Sequence, residues 1–299
     1  MSEDYRKYLD PAVLEKVAGL EVKARLVVEG FMAGRHESPY KGSSVEFAEH
    51  REYAPGDDLR RIDWKVYGKS DRFYLKEFEE ETNLKAYVAV DASASMGYAG
   101  GTRISKLEYS KYAAAAILHL VQQQRDSGAL IAFGSGVSNF VPPGSSSAHH
   151  RNLIETLAGL VPDGKSGIGV VFDEIASRLR QRSLVAVFSD LIDDTTGVLR
   201  GLQHMAHRGH DVILFHVMDS DELEFPFEKM TRFEGMEDME RLLLDPKAVR
   251  EAYLAEVGAF RSQVMATCLA SRMDYVPLDT SAPLDKALSA WLARRTGTR

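Results

Sequence analysis

The chain carries one cysteine, Cys268, among 299 residues. No intrachain disulfide can form, and structural zinc sites built on several thiolates are excluded with it. Basic charge is also short: 37 Lys and Arg face 44 Asp and Glu, leaving a net charge of −7. That balance argues against generic nucleic-acid binding. Long apolar runs are missing as well. The longest, near Tyr112 to Val121, includes His119 and is too short to span a bilayer. The first residues, Met1-Ser-Glu-Asp-Tyr-Arg6, are polar and acidic, unlike the start of a secretory signal. These absences lead to the expectation of a soluble, cytoplasmic protein with no membrane span and no nucleic-acid partner.

Familiar catalytic signatures are scarce too. Ser93 is flanked by Ala92 and Ala94, so the Gly-x-Ser-x-Gly elbow of a hydrolase nucleophile is missing. Gly164-Lys165-Ser166 ends like a phosphate loop, but Gly159 falls in the preceding helical pattern, and no nucleotide site is expected.

What is present is a regular alternation. Asp10-Pro11 is a helix start, and Val13, Val17, Leu20, Ala24, Val27 and Phe31 follow at helical spacing up to Gly34. Residues 35–81 are rich in charge and turn residues, with Pro55-Gly56-Asp57 as a turn and short strands around it, including Phe73 to Phe78. From Leu84 onward the pattern predicts strands at 85–90, 128–133, 184–189, 211–217 and 273–278. Helices are predicted at 105–125, 148–160, 168–181, 197–208, 247–271 and 283–295. Strands separated by helices point to βαβ units and a mostly parallel α/β sheet covered on both faces. The pattern breaks between 220 and 245, which reads as a strand-rich insertion or hairpin. Pro142-Pro-Gly-Ser-Ser-Ser147 reads as a loop. Two regions are expected: 1–83, with the helix and a small charged strand-rich part, and 84–299, the α/β domain.

Ligands of open α/β sheets gather beyond the C-terminal ends of the strands. Three segments end there with oxygen donors: Asp91, Ser93 and Ser95 after the first strand of the domain, Ser166 before the helix at 168, and Asp190 after Val187-Phe-Ser. Any one of these alone reads as a helix-capping turn. Together they read as a site for a hard divalent cation, Mg²⁺ or Mn²⁺, which prefers oxygen ligands in near-octahedral arrangement.

Asp91-x-Ser93-x-Ser95 resembles the metal-ion-dependent adhesion site (MIDAS) of von Willebrand factor A domains. The block Arg51-Glu-Tyr-Ala-Pro-Gly-Asp-Asp58-Leu-Arg60-Arg-Ile-Asp63-Trp64, then Lys76-Glu-Phe-Glu-Glu-Glu81, then the Asp-x-Ser-x-Ser motif, resemble in this order the hallmarks of the DUF58 family, over roughly residues 20–295. The resemblance implies a von Willebrand A-like fold of Rossmann type. It implies direct ligation by Ser93 and Ser95, water-mediated ligation by Asp91 and Asp190, and Ser166 in the place where a threonine is usual. It implies a partner protein that supplies an acidic residue to the ion, and a MoxR-type AAA+ ATPase as associate in protein assembly or maturation. The expected function is therefore a non-enzymatic, metal-dependent protein-interaction module. The alternative is a Mg²⁺-dependent phosphoryl-transfer or hydrolytic enzyme using Asp91 as nucleophile. Against it, the second aspartate of such sites is here Ser93, and no clear general acid or catalytic-looking lysine stands nearby in the sequence.

Other polar residues have bland readings. His204, His207 and His210 read as a solvated helix end rather than a zinc site, and His149-His150 as surface. Trp64 reads as the anchor of a small subdomain, and Glu77 with Glu79 to Glu81 as a solvated strand edge.

Overall fold

A computed structural model describes residues 7–8, 45–52, 64–70, 73–80, 84–237 and 242–297. The chain divides into two compact units, residues 30–83 and residues 1–29 together with 84–299. The expected boundary at 83/84 falls between them, but the first 29 residues go with the larger unit. There Tyr8 is buried, its ring 4.9 Å from that of Tyr112 and its hydroxyl donating to Glu108 at 2.9 Å. The helix expected over 10–34 and the block 53–63 lie outside the described residues.

In the small unit, β1 (Val45–Glu52) pairs antiparallel with β2 (Tyr74–Glu80), with an irregularity between Phe47 and Glu49. Glu77 and Glu79 are thus paired along β1 rather than on an unpartnered strand. A short helix, α1 (Trp64–Ser70), precedes β2. Trp64 does not serve as a buried anchor: it is 62% exposed, edge-on to Tyr67 and Phe73, which stack on each other at 4.4 Å.

The larger unit is the mostly parallel α/β domain expected of a von Willebrand A-like fold. In chain order it contains β3 (Lys85–Asp91), α2 (Lys106–Gln123), β4 (Ser127–Phe133), β5 (Val137–Gly144), α3 (Ser147–Ala158), α4 (Ile168–Arg178), β6 (Leu184–Ser189) and α5 (Thr195–His207). Then follow β7 (Asp211–Met218), α6 (Ser220–Glu224), β8 (Thr231–Phe233), β9 (Leu242–Leu244), α7 (Pro246–Ala270), β10 (Asp274–Asp279) and α8 (Leu284–Gly297). The six-stranded sheet runs β10-β7-β6-β3-β4-β5, parallel throughout except for β5.

Period-two alternation sends successive residues of each strand to opposite faces. Tyr87, Ala89, Ile131, Val185, Val187 and Leu214 share one core with Val171, Phe172 and Ile175 of α4, Leu202 and Met205 of α5, and Val264 and Cys268 of α7. On the residues between them, Phe188 stacks on Phe215 at 4.5 Å and Phe215 meets Trp291 of α8 edge-on. Burial on both faces explains why β3, β4, β6 and β7 read as continuous apolar runs. Chain order reverses between β3 and β6, which are neighbours in the sheet, so a switch point lies at their C-terminal ends.

Two elements differ from expectation. Pro142, Pro143 and Gly144, read as loop, end the edge strand β5. Proline is tolerated there because one side of an edge strand makes no ladder bonds. The break at 220–245 holds the short helix α6 as well as the antiparallel β8–β9 pair.

Helices α4 and α5 approach so closely that a Cβ on Gly169 would lie 2.9 Å from the backbone of Gly197. Replacing Gly169 by Ala forces the helices apart. It is expected to cost about 1–3 kcal/mol, the range for overpacking, seen as a lower urea midpoint with an unchanged slope.

Candidate functional site

The site is built at that switch point. β3 ends in Asp91, wholly buried, and a 3₁₀ turn (Ala94–Gly97) follows. Asp91 Oδ1 accepts from the Ser93 N–H at 2.9 Å, and Oδ2 accepts from the Ser189 hydroxyl at 2.6 Å. Ser189 closes β6 and its Oγ also accepts from the Leu191 N–H at 2.9 Å. Leu191 is buried in the left-handed region at φ 58°. That conformation is unusual for a branched residue, and strain of this kind collects at functional sites.

The Ser93 and Ser95 hydroxyls lie 3.1 Å apart, and Ser93 makes no side-chain cap bond to the turn that follows it. The loop carrying Ser166 is tied alongside: Asp163 N–H donates to Ala92 O at 2.9 Å, and Ala94 N–H donates to Gly164 O at 3.0 Å. Gly167 N–H donates to Gly134 O at 3.1 Å. Ser166 Oγ is buried with no partner among the described residues, and the α4 N-terminus receives no side-chain cap from Gly167. The Asp193 carboxylate takes the Ile168 N–H instead, at 2.7 Å. The structure therefore brings the Asp91, Ser166 and Asp190 segments to one edge, and spends neither the Ser93 nor the Ser166 hydroxyl on capping.

Burial first, and then the neighbouring charge of Asp190, push the Asp91 carboxyl up to about 7 against the hydrogen bonds of Ser189 and Ser93. Asp190 is buried too, and its Oδ2 lies 2.8 Å from Lys106 Nζ. This is a charge contact without the alignment of a hydrogen bond. Lys106 is fully buried and also donates to Glu222 at 2.6 Å. Burial works against its charge, but the two carboxylates outweigh it and raise the ammonium above its ordinary value.

Glu222 closes a capping box with Asp219 at the start of α6. Asp219 takes Arg103 on both oxygens, at 2.5 and 3.2 Å, and Thr280 at 2.9 Å. The Asp190 backbone is held by His216: Nε2 lies 3.1 Å from the Asp190 carbonyl and Nδ1 2.8 Å from the Tyr275 hydroxyl. A carbonyl only accepts, so Nε2 carries the proton and Nδ1 receives the Tyr275 hydrogen. Burial lowers the His216 pKa to about 4.

Lys106, Ser189 and His216 were missed in the sequence, and a lysine does stand at the site, Lys106 beside Asp190. One signal existed: Lys106 lies in the first turn of α2, where a helix dipole disfavours a cation unless acids compensate. Two histidines read as solvated are buried, namely His150, 6.2 Å from the His119 ring, and His210. His204 pairs with Asp173 at 2.7 Å. The phosphate-loop-like segment ending in Ser166 follows helix α3, not a strand. Its Asp163, Ser166 and Gly167 N–H groups are already donated, so it cradles no phosphate.

A doubly wound sheet with an Asp-x-Ser-x-Ser turn at its switch point defines a von Willebrand A-like domain. The family described as "Protein of unknown function DUF58" matches residues 49–263, and the chain belongs to that family. Uncharacterized proteins of Mycobacterium tuberculosis (strain ATCC 25618 / H37Rv) and Mycobacterium bovis are 28% identical to it over 264 residues, 86% of this chain and 82% of theirs. Among solved structures, the conserved hypothetical protein BatB from Bacteroides thetaiotaomicron is 18% identical with a TM-score of 0.47, over 72% of this chain and 100% of that one. An aerotolerance-related membrane protein from Bacteroides fragilis is 17% identical with a TM-score of 0.46, over 71% and 99%. The VWA domain of SpRpn10 is 12% identical with a TM-score of 0.41, over 70% and 95%. The cytoplasmic expectation is corrected at this point: the Bacteroides fragilis neighbour is described as a membrane protein. Among the described residues, no helix is long and apolar enough to cross a membrane.

Two outcomes test the charge network. Lys106→Met leaves the buried Asp190 beside the partly exposed Glu222 without a cation, and should lower the unfolding free energy by about 3–5 kcal/mol. His216 titrates near 6.5 when unfolded and near 4 when folded. Its contribution is therefore complete above about pH 6.5 and is lost as the pH falls toward 4, by up to about 3 kcal/mol. Asp91, held up to about 7, titrates with the opposite sign across the same range. The His216 contribution is therefore read as the difference between wild type and His216→Gln in urea unfolding from about pH 4 to 6.5, which should grow toward higher pH.

Proposed function

We propose that the protein is a non-enzymatic protein-interaction module whose docking point is a divalent-cation site of the MIDAS type. The observation that carries this reading is the set of hydroxyls at the switch point. Ser93, Ser95 and Ser166 lie on adjoining loops at the Asp91–Asp190 edge, and the Ser166 oxygen is buried without a partner among the described residues. Leaving a buried hydroxyl unpaired costs about 1–3 kcal/mol, a cost a ligated cation removes. Hydroxyl and carboxylate oxygens suit Mg²⁺ or Mn²⁺ rather than softer metals.

In this reading Ser93, Ser95 and Ser166 ligate directly, and Asp91 and Asp190 hold the ion through water. When bound, the ion supplies a Lewis-acidic position for the carboxylate of a partner protein. The residues around it orient the loops: Ser189 fixes Asp91, His216 fixes the Asp190 backbone, and Lys106 holds the Asp190 side chain. A MoxR-type AAA+ ATPase as associate, and a role in protein assembly or maturation, rest on the DUF58 family to which the chain belongs. The enzymatic alternative fits less well. Asp91 is wholly buried with both oxygens engaged, which leaves no approach for a phosphoryl group in line with the carboxylate.

Calorimetry with Mg²⁺ and Mn²⁺ tests the site. The wild type should bind one ion, and unfold about 2.7 kcal/mol later at one hundred times the dissociation constant. Asp91→Ala should give no binding heat. Equal heats in both proteins would sink the cation reading, and phosphate-ester turnover that disappears in Asp91→Asn would overturn the non-enzymatic one.

A further inference from the structure

We infer that Glu237, carried by the insertion between β7 and α7, is a further ligand of this cation site and fills from within the chain the position otherwise open to an outside carboxylate. The inference rests on the cation reading above and adds a residue that the Asp-x-Ser-x-Ser pattern does not contain.

Three observations place Glu237 there. Its Oε2 accepts from the Ser166 N–H at 3.0 Å, so the carboxylate lies against the loop whose hydroxyl is a proposed ligand. Its Oε1 is buried with no partner among the described residues, as is the Ser166 Oγ. Two orphaned buried oxygens on bonded neighbours are costly in a dry site unless something electropositive lies between them. The preceding residue touches the other half of the site: a Cβ on Gly97, in the turn after Ser95, would lie 3.5 Å from Met236 Cε. Met236 and Glu237 therefore reach the turn after Ser95 and the Ser166 loop respectively.

The insertion is held in that pose from below. Phe225 stacks on Phe233 at 5.6 Å and meets Tyr253 of α7 at 4.6 Å, and Arg250 of α7 donates to the Phe227 carbonyl at 2.8 Å. Above this aromatic base the β8–β9 pair is only three residues long on each strand, with Leu242 and Leu243 exposed. Short two-stranded ribbons are marginal on their own. An acidic partner segment must displace Glu237 to reach the ion, so the insertion sets a threshold for docking.

Water-proton relaxation with Mn²⁺ on the full chain separates the possibilities. In Glu237→Gln the Mn²⁺ affinity should fall about tenfold or more, since even an outer-shell partner is worth 10–100-fold at a metal site. The relaxivity per bound ion should rise as water takes the vacated position. Glu234→Gln, on the same insertion and paired with Arg232 at 3.1 Å, should change neither. Unfolding in EDTA should be the same for all three proteins. Wild-type affinity and relaxivity in Glu237→Gln would overturn the inference while leaving the cation site standing. An equal loss in Glu234→Gln would also overturn it, by showing a general charge effect. Absence of Mn²⁺ binding in the wild type would remove the cation reading itself, and the inference with it.

Discussion

Two carboxylates, Asp91 and Asp190, are buried at the ends of adjacent strands, and much of the surrounding structure exists to make that tolerable. A lone buried carboxylate is driven toward its neutral form, and a second one beside it raises the cost. Ser189 and the Ser93 N–H share Asp91, Lys106 faces Asp190, and Glu222 shares Lys106. From Glu222 the chain of contacts runs through the α6 capping box to Asp219, Arg103 and Thr280. The loop before α2, the turn after β7 and the end of β10 are thus fixed by one connected set of charges. Such networks are strong when every member is satisfied and weak points when one is not.

Beside that set, Ser166 Oγ and Glu237 Oε1 are buried oxygens without a hydrogen-bond partner among the described residues, and Asp190 Oδ2 meets only the Lys106 ammonium. Every orphan at the switch point wants positive charge or a donor, which is what distinguishes this edge from an ordinary cluster of caps. The loops around it also expose apolar side chains, Ile104, Val161 and Ile192 among them. An ionic anchor ringed by apolar contact is a workable arrangement for a protein interface, where a few desolvated groups carry most of the energy.

The larger domain was legible because its strands are buried on both faces and its helices carry clear caps, such as Ser105 before α2 and Asp245-Pro246 before α7. The edge strand β5 was not, since it is largely exposed and contains two prolines that signal a loop. The Asp91 and Asp190 segments were visible as oxygen-rich strand ends, and Ser166 as a hydroxyl just before a helix start. Lys106 was obscured because its partners, Asp190 and Glu222, are distant in sequence and meet it only through the parallel topology. Glu237 was hidden for the same reason, since nothing local to the insertion says that this residue reaches Ser166. His150 and His210 read as surface because a histidine carries no sequence mark of its burial.

The central claim is that the switch point holds a divalent cation between the Asp-x-Ser-x-Ser turn, the Ser166 loop and Asp190. A crystal grown with Mn²⁺ and measured for anomalous scattering tests it most directly. The account predicts one peak at about 2.0–2.2 Å from the Ser93 and Ser95 hydroxyl oxygens, the distance range of octahedral hard-oxygen sites, with Ser166 Oγ turned toward it. A map without a peak there, with Ser166 Oγ hydrogen-bonded to backbone and Lys106 as the only cation at the edge, would contradict it.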